Sequence, residues 1–278
     1  MTARTRIGTA VVLAGLALGG CTAADPPSPP ATTAASRPAA PALLQQVVAR
    51  TMAAKTSRFT TTSRLAAASP RDAAVWHGAF DYAGQRGWWD AQPHRTGTPG
   101  SVRRTLRIGR AVYHATLADR PARPGAPATV SGRWLKVELP AGRGELLGNS
   151  GEPTMALELL RDAARDVTTS GRAELRGVAT TRYGVVLDMD RYATTLGSDG
   201  RDMLRGFQVA GTLPAEVWVD AQGRLRRLHL RLGMTFKEPA GGTTPRSVTD
   251  FTTELYDFGV PVQVTPPPAD QVCSGPDC

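Results

Sequence analysis

A cysteine at position 21 has the surroundings that a lipid-accepting thiol requires. Two arginines lie within the first six residues, Ile7–Leu18 is an uncharged apolar stretch, and Leu18–Cys21 places two glycines directly before the cysteine. The stretch is too short to span a bilayer and follows the order of an export signal. The sequence therefore predicts residues 1–20 as a lipoprotein signal peptide and Cys21 as the residue that carries the lipid. Because Gly19 is unusual at its position, an ordinary secretory signal is the alternative.

The other cysteines lie at the C-terminal end of the chain. Three cysteines leave an odd thiol in an exported protein. Lipidation of Cys21 removes it from the count, so that Cys273 and Cys278 can form a disulfide in an oxidising compartment. Such a short loop removes only about 2 kcal/mol of unfolded-state entropy. We therefore expect this bridge to order the tail rather than hold the core, and two free thiols are the alternative.

Histidine spacing does not favour a metal site. No two histidines lie three or four residues apart, and no His-Glu-x-x-His motif occurs. Most of them fall in predicted strands, so that a site would need ligands from distant segments. We expect neither a metal ion nor a cofactor. The histidines are His77, His94, His114 and His229.

Motifs for catalysis are incomplete. Gly148–Gly151 lacks the first glycine of a nucleophile elbow, and Gly142–Gly148 is one residue too long for a nucleotide-binding glycine pattern. Asp188 and Asp190 lie on one face of a predicted strand, where two carboxylates are able to do acid–base work. No third partner accompanies them, and pairing with nearby arginines is the favoured interpretation. The sequence thus predicts a protein that is not an enzyme.

The composition describes an exported, mildly basic protein. The formal charge of +9 falls to +7 without the predicted signal, and nearly all of the basic excess is arginine. In an exported protein this excess fits an anionic membrane surface rather than nucleic acid. Residues 21–41 combine the acylated cysteine with a segment rich in Pro, Ala and Thr that has no apolar period. We predict a disordered tether that reaches about 60 Å at about 3.1 Å per residue.

The remaining residues, 42–278, are predicted to form one domain. Helical spacing of apolar residues marks Leu43–Met52, a second helix is predicted at Glu152–Val167, and a shorter one at Asp199–Phe207. Strand-like alternation marks most other segments, and the clearest hairpin turns at Ala221–Gly223. The predicted strands are Arg58–Leu65, Val75–Tyr82, Gly87–Asp90, Val102–Thr116, Arg133–Leu139, Ala173–Ala179, Tyr183–Asp190, Glu216–Asp220, Arg224–Met234 and Val248–Phe258.

Each well-formed strand has one apolar face and one polar face. Leucines alternate with charged residues along Arg224–Met234, and apolar residues recur at every second position of Tyr183–Asp190. The pattern predicts an α+β fold in which a large, curved antiparallel sheet carries helices on one face. These helices either fill the concave side as an ordinary core or leave room for a ligand, and the residues alone slightly favour the packed core.

Three segments together resemble a known protein family. They are Gly132–Val137, Leu213–Leu230 and Tyr256–Val272. With the predicted lipid attachment site and tether, the chain resembles the actinobacterial lipoproteins of the LppX/LprG type, relatives of the LolA-like fold. The resemblance implies a half-barrel sheet around helices and an apolar cavity that carries acyl lipids or lipidated glycans. It also implies a place on the outer face of the cell membrane.

Two functions follow from these expectations. In the first, the cavity binds acyl lipid, and an envelope transporter or signalling protein is a possible partner. The candidate cavity residues are Trp76, Phe80, Tyr82, Leu157, Leu160, Val185, Leu187 and Met189. In the second, the core is fully packed and the domain binds an envelope protein through its surface. No segment names the lipid, the partner or the direction of transport.

Overall fold

Twelve strands form one open sheet in the part of the chain that the structure describes. This computed structural model describes residues 40–66, 73–92, 101–118, 129–139, 151–235 and 247–275. The predicted signal peptide, Cys21, most of the tether, His94 and Cys278 lie outside these ranges. Residues from Pro38 onward belong to one compact unit.

The first half of the sheet is an antiparallel meander that runs outward from its centre. Each strand pairs with the next one along the chain. The six strands are β1 (Thr56–Leu65), β2 (Ala74–Asp81), β3 (Arg86–Gln92), β4 (Arg103–Ile108), β5 (Ala111–Leu117) and β6 (Val130–Glu138).

The second half is another antiparallel meander, and it runs back to the centre. The strand Ser247–Tyr256, with which this meander ends, pairs with β1 and so joins the two halves into one sheet. A short final strand, Val272–Cys273, adds to β6 in parallel and forms one edge. The strands are β7 (Ala164–Leu175), β8 (Val178–Asp188), β9 (Thr212–Asp220), β10 (Leu225–Met234), β11 (Ser247–Tyr256) and β12 (Val272–Cys273).

Four α-helices accompany this sheet in the described ranges. They are α1 (Ala40–Ala53), α2 (Thr154–Glu158), α3 (Met189–Thr195) and α4 (Ser198–Gly206). A π-helical turn, Leu159–Ala163, continues directly from α2, and a 3₁₀ turn, Ala269–Gln271, precedes β12. Buried residues of these helices and of the strands share one hydrophobic core. The α+β half-barrel fold predicted from the sequence is thereby confirmed.

Helix α1 is held against the sheet by both its apolar face and one hydroxyl group. Leu44, Val47 and Val48 are buried in the core at helical spacing. Thr51 is also fully buried, and its hydroxyl donates to the carbonyl of Val47 and accepts from the amide of Leu225 on β10. A buried hydroxyl with both partners satisfied costs little and fixes the position of the helix.

The helix predicted at Glu152–Val167 is shorter than expected. Helical structure ends at Ala163, and strand β7 begins with the next residue. The β-branched run Val167–Thr169 favours a strand, and it pairs there with β8. The apolar residues predicted to form one helical stripe thus belong to a helical segment and to a strand. Apolar positions alone do not show where helical spacing changes to strand alternation.

Three other segment boundaries also differ from the prediction. Ala173–Ala179 is not one strand, because Arg176 and Gly177 both have positive φ and form the turn between β7 and β8. Val102–Thr116 is likewise a hairpin, with Gly109 at φ +61° in its turn. Met189 was placed at the end of a strand, whereas it begins α3.

Candidate functional site

An apolar cavity of about 180 Å³ lies between the centre of the sheet and the helical layer. Its floor comes from neighbouring strands β1, β11, β10 and β9, and its roof from α2 with the π-helical turn, α3 and α4. The lining residues are Thr61, Gly151, Met155, Leu159, Met189, Tyr192, Leu204, Phe207, Val209, Leu213, Leu230, Leu232, Met234 and Phe251.

The polar groups at the wall are mostly engaged with one another. The hydroxyl of Thr61 donates to the carbonyl of Gly151 at 3.2 Å and lies 3.2 Å from the hydroxyl of Thr253. Among the described residues, no charged side chain lines the cavity. Such a space favours hydrocarbon over water or ions, because an ordered water needs two to four polar partners.

Methionines are concentrated in this wall. The chain contains six methionines, and Met155, Met189 and Met234 line the cavity. They come from α2, α3 and β10, so that a methionine faces the space from three different elements. Methionine side chains are unbranched and adapt to irregular shapes, which allows the cavity to change shape with its occupant.

The segment that leads into α2 contributes Gly151 to the cavity wall. Gly151 lies against the ring of Trp76, and the following residue, Glu152, is buried in an ion pair with Arg107 of β4. The hydroxyl of Thr154 also donates to this carboxylate. Burial raises the pKa of Glu152, and the Arg107 charge with the two hydrogen bonds acts in the opposite direction. The segment is therefore tied to β1, β2 and β4 at once.

The predicted cavity residues divide between the cavity and the surrounding core. Met189 lines the cavity. Trp76 is partly buried and packs against the core beside Gly151. The others are buried in the hydrophobic core and are not among the lining residues; they are Phe80, Tyr82, Leu157, Leu160, Val185 and Leu187.

Two parts of the wall were not foreseen. The predicted strand Tyr183–Asp190 covers only the first two residues of α3, and Tyr192 lies beyond it in a segment for which the sequence predicts no element. On β10, Leu230, Leu232 and Met234 were recognised as an apolar face but not as cavity residues. The alternation in β10 shows that these side chains face inward, and only the position of α4 above them shows that space remains there.

Solved structures with a similar chain course include two mycobacterial proteins. One is LprF from Mycobacterium bovis, with 15% identity over 82% of this chain and 96% of that chain, at a TM-score of 0.46. Another is lipoprotein LppX from Mycobacterium tuberculosis, with 13% identity over 81% of this chain and 99% of that chain, also at 0.46. No protein-family model and no curated protein sequence matches the chain.

Two of the three arginines of β4 are engaged in ion pairs. Arg104 forms a two-pronged pair with Asp90, whose carboxylate is fully buried, at 2.7 and 2.8 Å. Arg107 pairs with Glu152, and Arg103 is exposed. These contacts give Arg104 and Arg107 a structural role between neighbouring elements.

Asp188 and Asp190 act on backbone groups. Both residues are expected in a strand, but the strand ends at Asp188. The carboxylate of Asp188 caps α3 by accepting a hydrogen bond from the backbone amide of Arg191 at 2.9 Å. Asp190 is helical and accepts the amide of Gly211 at 3.1 Å. The prediction that they share one strand face is wrong, because the chain turns into a helix between them.

The described histidines lie apart from one another. His77 and His229 are on β2 and β10, and His114 is on β5, where burial lowers its pKa. In the described ranges, no group of three or more His, Cys, Asp or Glu side chains is arranged to hold a metal ion. Within the same ranges, none of the helices is both long and apolar enough to cross a membrane.

Proposed function

We propose that this protein is an envelope lipoprotein of the LppX/LprG type that binds acyl chains in its apolar cavity. Lipid on Cys21 would hold it on the outer face of the cell membrane, with the tether leading to the domain. The observation that carries the proposal is the cavity itself, about 180 Å³ of space bounded by apolar side chains between sheet and helices.

The chemistry of the wall determines the class of ligand. Each methylene group transferred from water to an apolar site contributes roughly 0.8 kcal/mol. A wall without charged side chains among the described residues offers nothing to an ionised headgroup, and an ionised group inside would be strongly penalised. The ligand would therefore insert hydrocarbon and leave its polar end outside. No step of catalysis is part of this proposal.

The size of the cavity limits how much hydrocarbon enters. An engineered apolar cavity of about 150 Å³ holds one benzene molecule, whereas drug-sized ligands occupy pockets of roughly 300 Å³ or more. A volume of about 180 Å³ corresponds to a short stretch of one acyl chain. We propose that movement of the lining methionines admits longer stretches, since these side chains rearrange at low cost.

Acyl binding is tested first on the protein as it is exported. Protein extracted under native conditions and analysed for lipid is expected to carry a molecule with acyl chains. After delipidation it is expected to bind a fluorescent fatty-acyl probe. Lipid-free protein that also binds no probe would contradict the proposal.

Two neighbouring leucines provide a matched pair of variants. Leu187 of β8 and Leu213 of β9 are direct partners across the sheet. Leu187 is fully buried in the core, whereas Leu213 lines the cavity. Leu213→Trp is expected to fill the cavity, keep the thermal stability of delipidated protein and weaken probe binding about tenfold or more, a loss of about 1.4 kcal/mol.

Leu187→Trp is the control for this substitution. Its indole has no space to occupy, and overpacking of a core typically costs about 1–3 kcal/mol. It is expected to lower stability more than Leu213→Trp does. Unchanged probe binding in Leu213→Trp would place the ligand elsewhere.

A second function is favoured by how completely the rest of the concave side is filled. Most of the residues expected to line a large cavity are instead buried in the core, including Phe80, Leu160 and Leu187. A packed domain of this kind would act as an interaction or signalling module that binds an envelope protein. Isolation of a stable protein partner with lipid-free protein would support this second function.

A further inference from the structure

The sheet face that points away from the core carries a band of arginines. On β10, arginines and His229 alternate with the buried leucines and therefore lie on this outer face. The register places residues of β1, β11, β9 and β8 beside them on the same side. Arg176, in the turn between β7 and β8, reaches this face through its ion pair with Glu254. We call the group the outer arginine belt; it consists of Arg64, Arg176, Arg182, Arg227 and Arg231.

These arginines share a smaller number of carboxylates. Two of the acids are each contacted by two arginines, and His229 lies 3.6 Å from the third acid. Among the described residues, five guanidinium groups thus face three carboxylates, which leaves this part of the band with an excess of positive charge. The pairs are Arg64 and Arg231 with Asp250, Arg176 and Arg227 with Glu254, and Arg182 with Glu216.

At two of the three acids the arginine side chains are more exposed than the carboxylates, whereas Glu216, 35% exposed, and its partner Arg182, 40% exposed, are similar. The side chain of Asp250 is 16% exposed, whereas that of its partner Arg231 is 60% exposed. Glu254 is 19% exposed beneath Arg176, which is 50% exposed. At Asp250 and Glu254 the carboxylates are therefore closer to the sheet, and an approaching molecule meets guanidinium groups first there.

Aromatic rings hold part of the belt in place. The guanidinium groups of Arg182 and Arg227 lie 5.5 and 5.2 Å from the ring centre of Trp218. Arg176 lies 4.0 Å from the ring centre of Tyr256. Stacking of this kind restricts the side chains before any ligand arrives, which lowers the entropy lost on binding.

A shallow polar groove runs through the belt between β1, β11 and β10. Hydroxyl groups of Thr62 and Thr252 lie among its basic side chains. The groove is lined by Thr62, Arg64, Ala66, His229, Arg231, Asp250 and Thr252. Guanidinium and hydroxyl donors together match the oxygens of a phosphate group.

We propose that the outer arginine belt docks the domain on an anionic phospholipid surface by contacting lipid phosphates. The proposal rests on the membrane anchor of the proposed function, because Cys21 lies only nineteen residues before the first residue of α1, Ala40. A tether of this length holds the start of α1 within about 60 Å of the membrane. Anionic membranes attract clustered arginines, and the attraction falls off within a Debye length.

Vesicle binding tests the belt without the lipid anchor. The chain from Thr22 onward lacks Cys21 and the apolar signal but retains the whole compact unit Pro38–Cys278. It is expected to bind vesicles of phosphatidylcholine that contain phosphatidylglycerol, and to be released as the salt concentration rises. Equal binding to vesicles of phosphatidylcholine alone would overturn the proposal.

Paired variants test whether the belt itself makes the contact. Arg176→Gln with Arg231→Gln removes two exposed belt charges and is expected to weaken binding to the anionic vesicles about tenfold or more. Arg133→Gln with Arg205→Gln removes the same charge from β6 and α4, away from the belt, and is expected to change binding less than about twofold. Equal losses in both pairs would mean that net charge alone acts and would overturn the assignment.

A soluble phosphate is distinguished from a lipid surface by competition. Replacement of chloride with inorganic phosphate at constant ionic strength is expected to leave vesicle binding within about twofold. Full displacement by inorganic phosphate would identify a soluble ligand instead and overturn the lipid assignment.

The proposals for the belt and for the cavity are tested independently of each other. The belt variant is expected to keep its binding of the fatty-acyl probe, and Leu213→Trp is expected to keep its binding of anionic vesicles. A parent protein that binds vesicles but no probe would refute the acyl-binding function and leave the belt assignment standing.

Discussion

The indole ring of Trp76 lies directly against Gly151. A Cβ atom at position 151 would fall 2.4 Å from Cγ of Trp76, and Gly151 has φ +122°. The carbonyl oxygen of the same glycine accepts a hydrogen bond from the hydroxyl of Thr61, and the residue forms part of the cavity wall. Close approach and backbone conformation both require glycine here, so that this contact sets where the helical layer begins above the sheet.

Gly151→Ala is expected to be clearly destabilising. The positive φ alone costs about 1–2 kcal/mol for a residue with a Cβ atom, and the clash with Trp76 adds roughly 1–3 kcal/mol. Gly171→Ala is the control, because Gly171 has φ +134° with no atom within 4 Å of an added Cβ. Equal losses in the two variants, measured by denaturant unfolding, would show that the Trp76 contact adds nothing.

Asp220 is expected to stabilise the hairpin between β9 and β10 in a pH-dependent way. Its buried carboxylate accepts the amides of Gln222 and Arg224 and the Nε groups of Arg224 and Arg226. Burial acts to raise the pKa of Asp220, but these hydrogen bonds outweigh burial and lower the pKa below its ordinary value of 3.8. The stabilisation is therefore present above this value and is lost as the pH falls through the folded-state pKa.

Asp220→Asn is expected to cost about 2–3 kcal/mol at neutral pH, and the difference from the parent should shrink below pH 3.8. Asp202→Asn is the control, since Asp202 is 64% exposed and pairs with Arg205 on the surface of α4. It is expected to change the free energy of unfolding by less than about 1 kcal/mol. A pH-independent loss in Asp220→Asn would mean that its shape matters and its charge does not.

Cys21→Ala is expected to block lipid attachment and cleavage by the lipoprotein-specific peptidase. The thiol is the atom that would accept the diacylglyceryl group, and alanine has no replacement for it. Metabolic labelling with a palmitate analogue measures the effect. Label retained on the variant would remove Cys21 from this role.

Cys273 and Cys278 are expected to be bridged in the exported protein. Cys273 lies in β12, the edge strand beside β6, and a bridge would close a loop within the C-terminal tail. Mass spectrometry without reduction should find the C-terminal peptide lighter by about two daltons, the two hydrogens lost when the thiols join. Replacement of both by serine should cost no more than about 2 kcal/mol, so loss of all folded protein would contradict this interpretation.

Side-chain alternation within strands was sufficient to predict the class of fold. In β10 every second residue from Leu228 to Met234 is apolar, and each faces the core or the cavity, while Arg227, His229 and Arg231 lie on the other side. This pattern depends only on the two-residue period of a strand, so it is readable before any tertiary contact is known. The hairpin at Ala221–Gly223 was predictable for the same local reason.

Boundaries at which the spacing of apolar residues changes from helical to strand-like were harder to predict from the sequence. The segment from Thr154 to Val167 stays apolar enough for one helix, yet pairing with β8 makes its last part a strand. The parallel addition of β12 to β6 joins residues that are more than a hundred positions apart. The local signal for the first feature is only the short β-branched run Val167–Thr169. The second feature has no local signal, because β12 depends on hydrogen bonds offered by a strand far away in sequence.

Alternation along a strand is enough to show which side chains face inward, but only the packing of the helices over the sheet shows where those side chains leave space. Leu187 and Leu213 are both apolar, both point to the same side, and are direct partners across β8 and β9. One is sealed in the core and the other borders the cavity. The physical reason is that alternation reports the direction of a side chain, whereas a cavity depends on how closely the helices above approach the sheet.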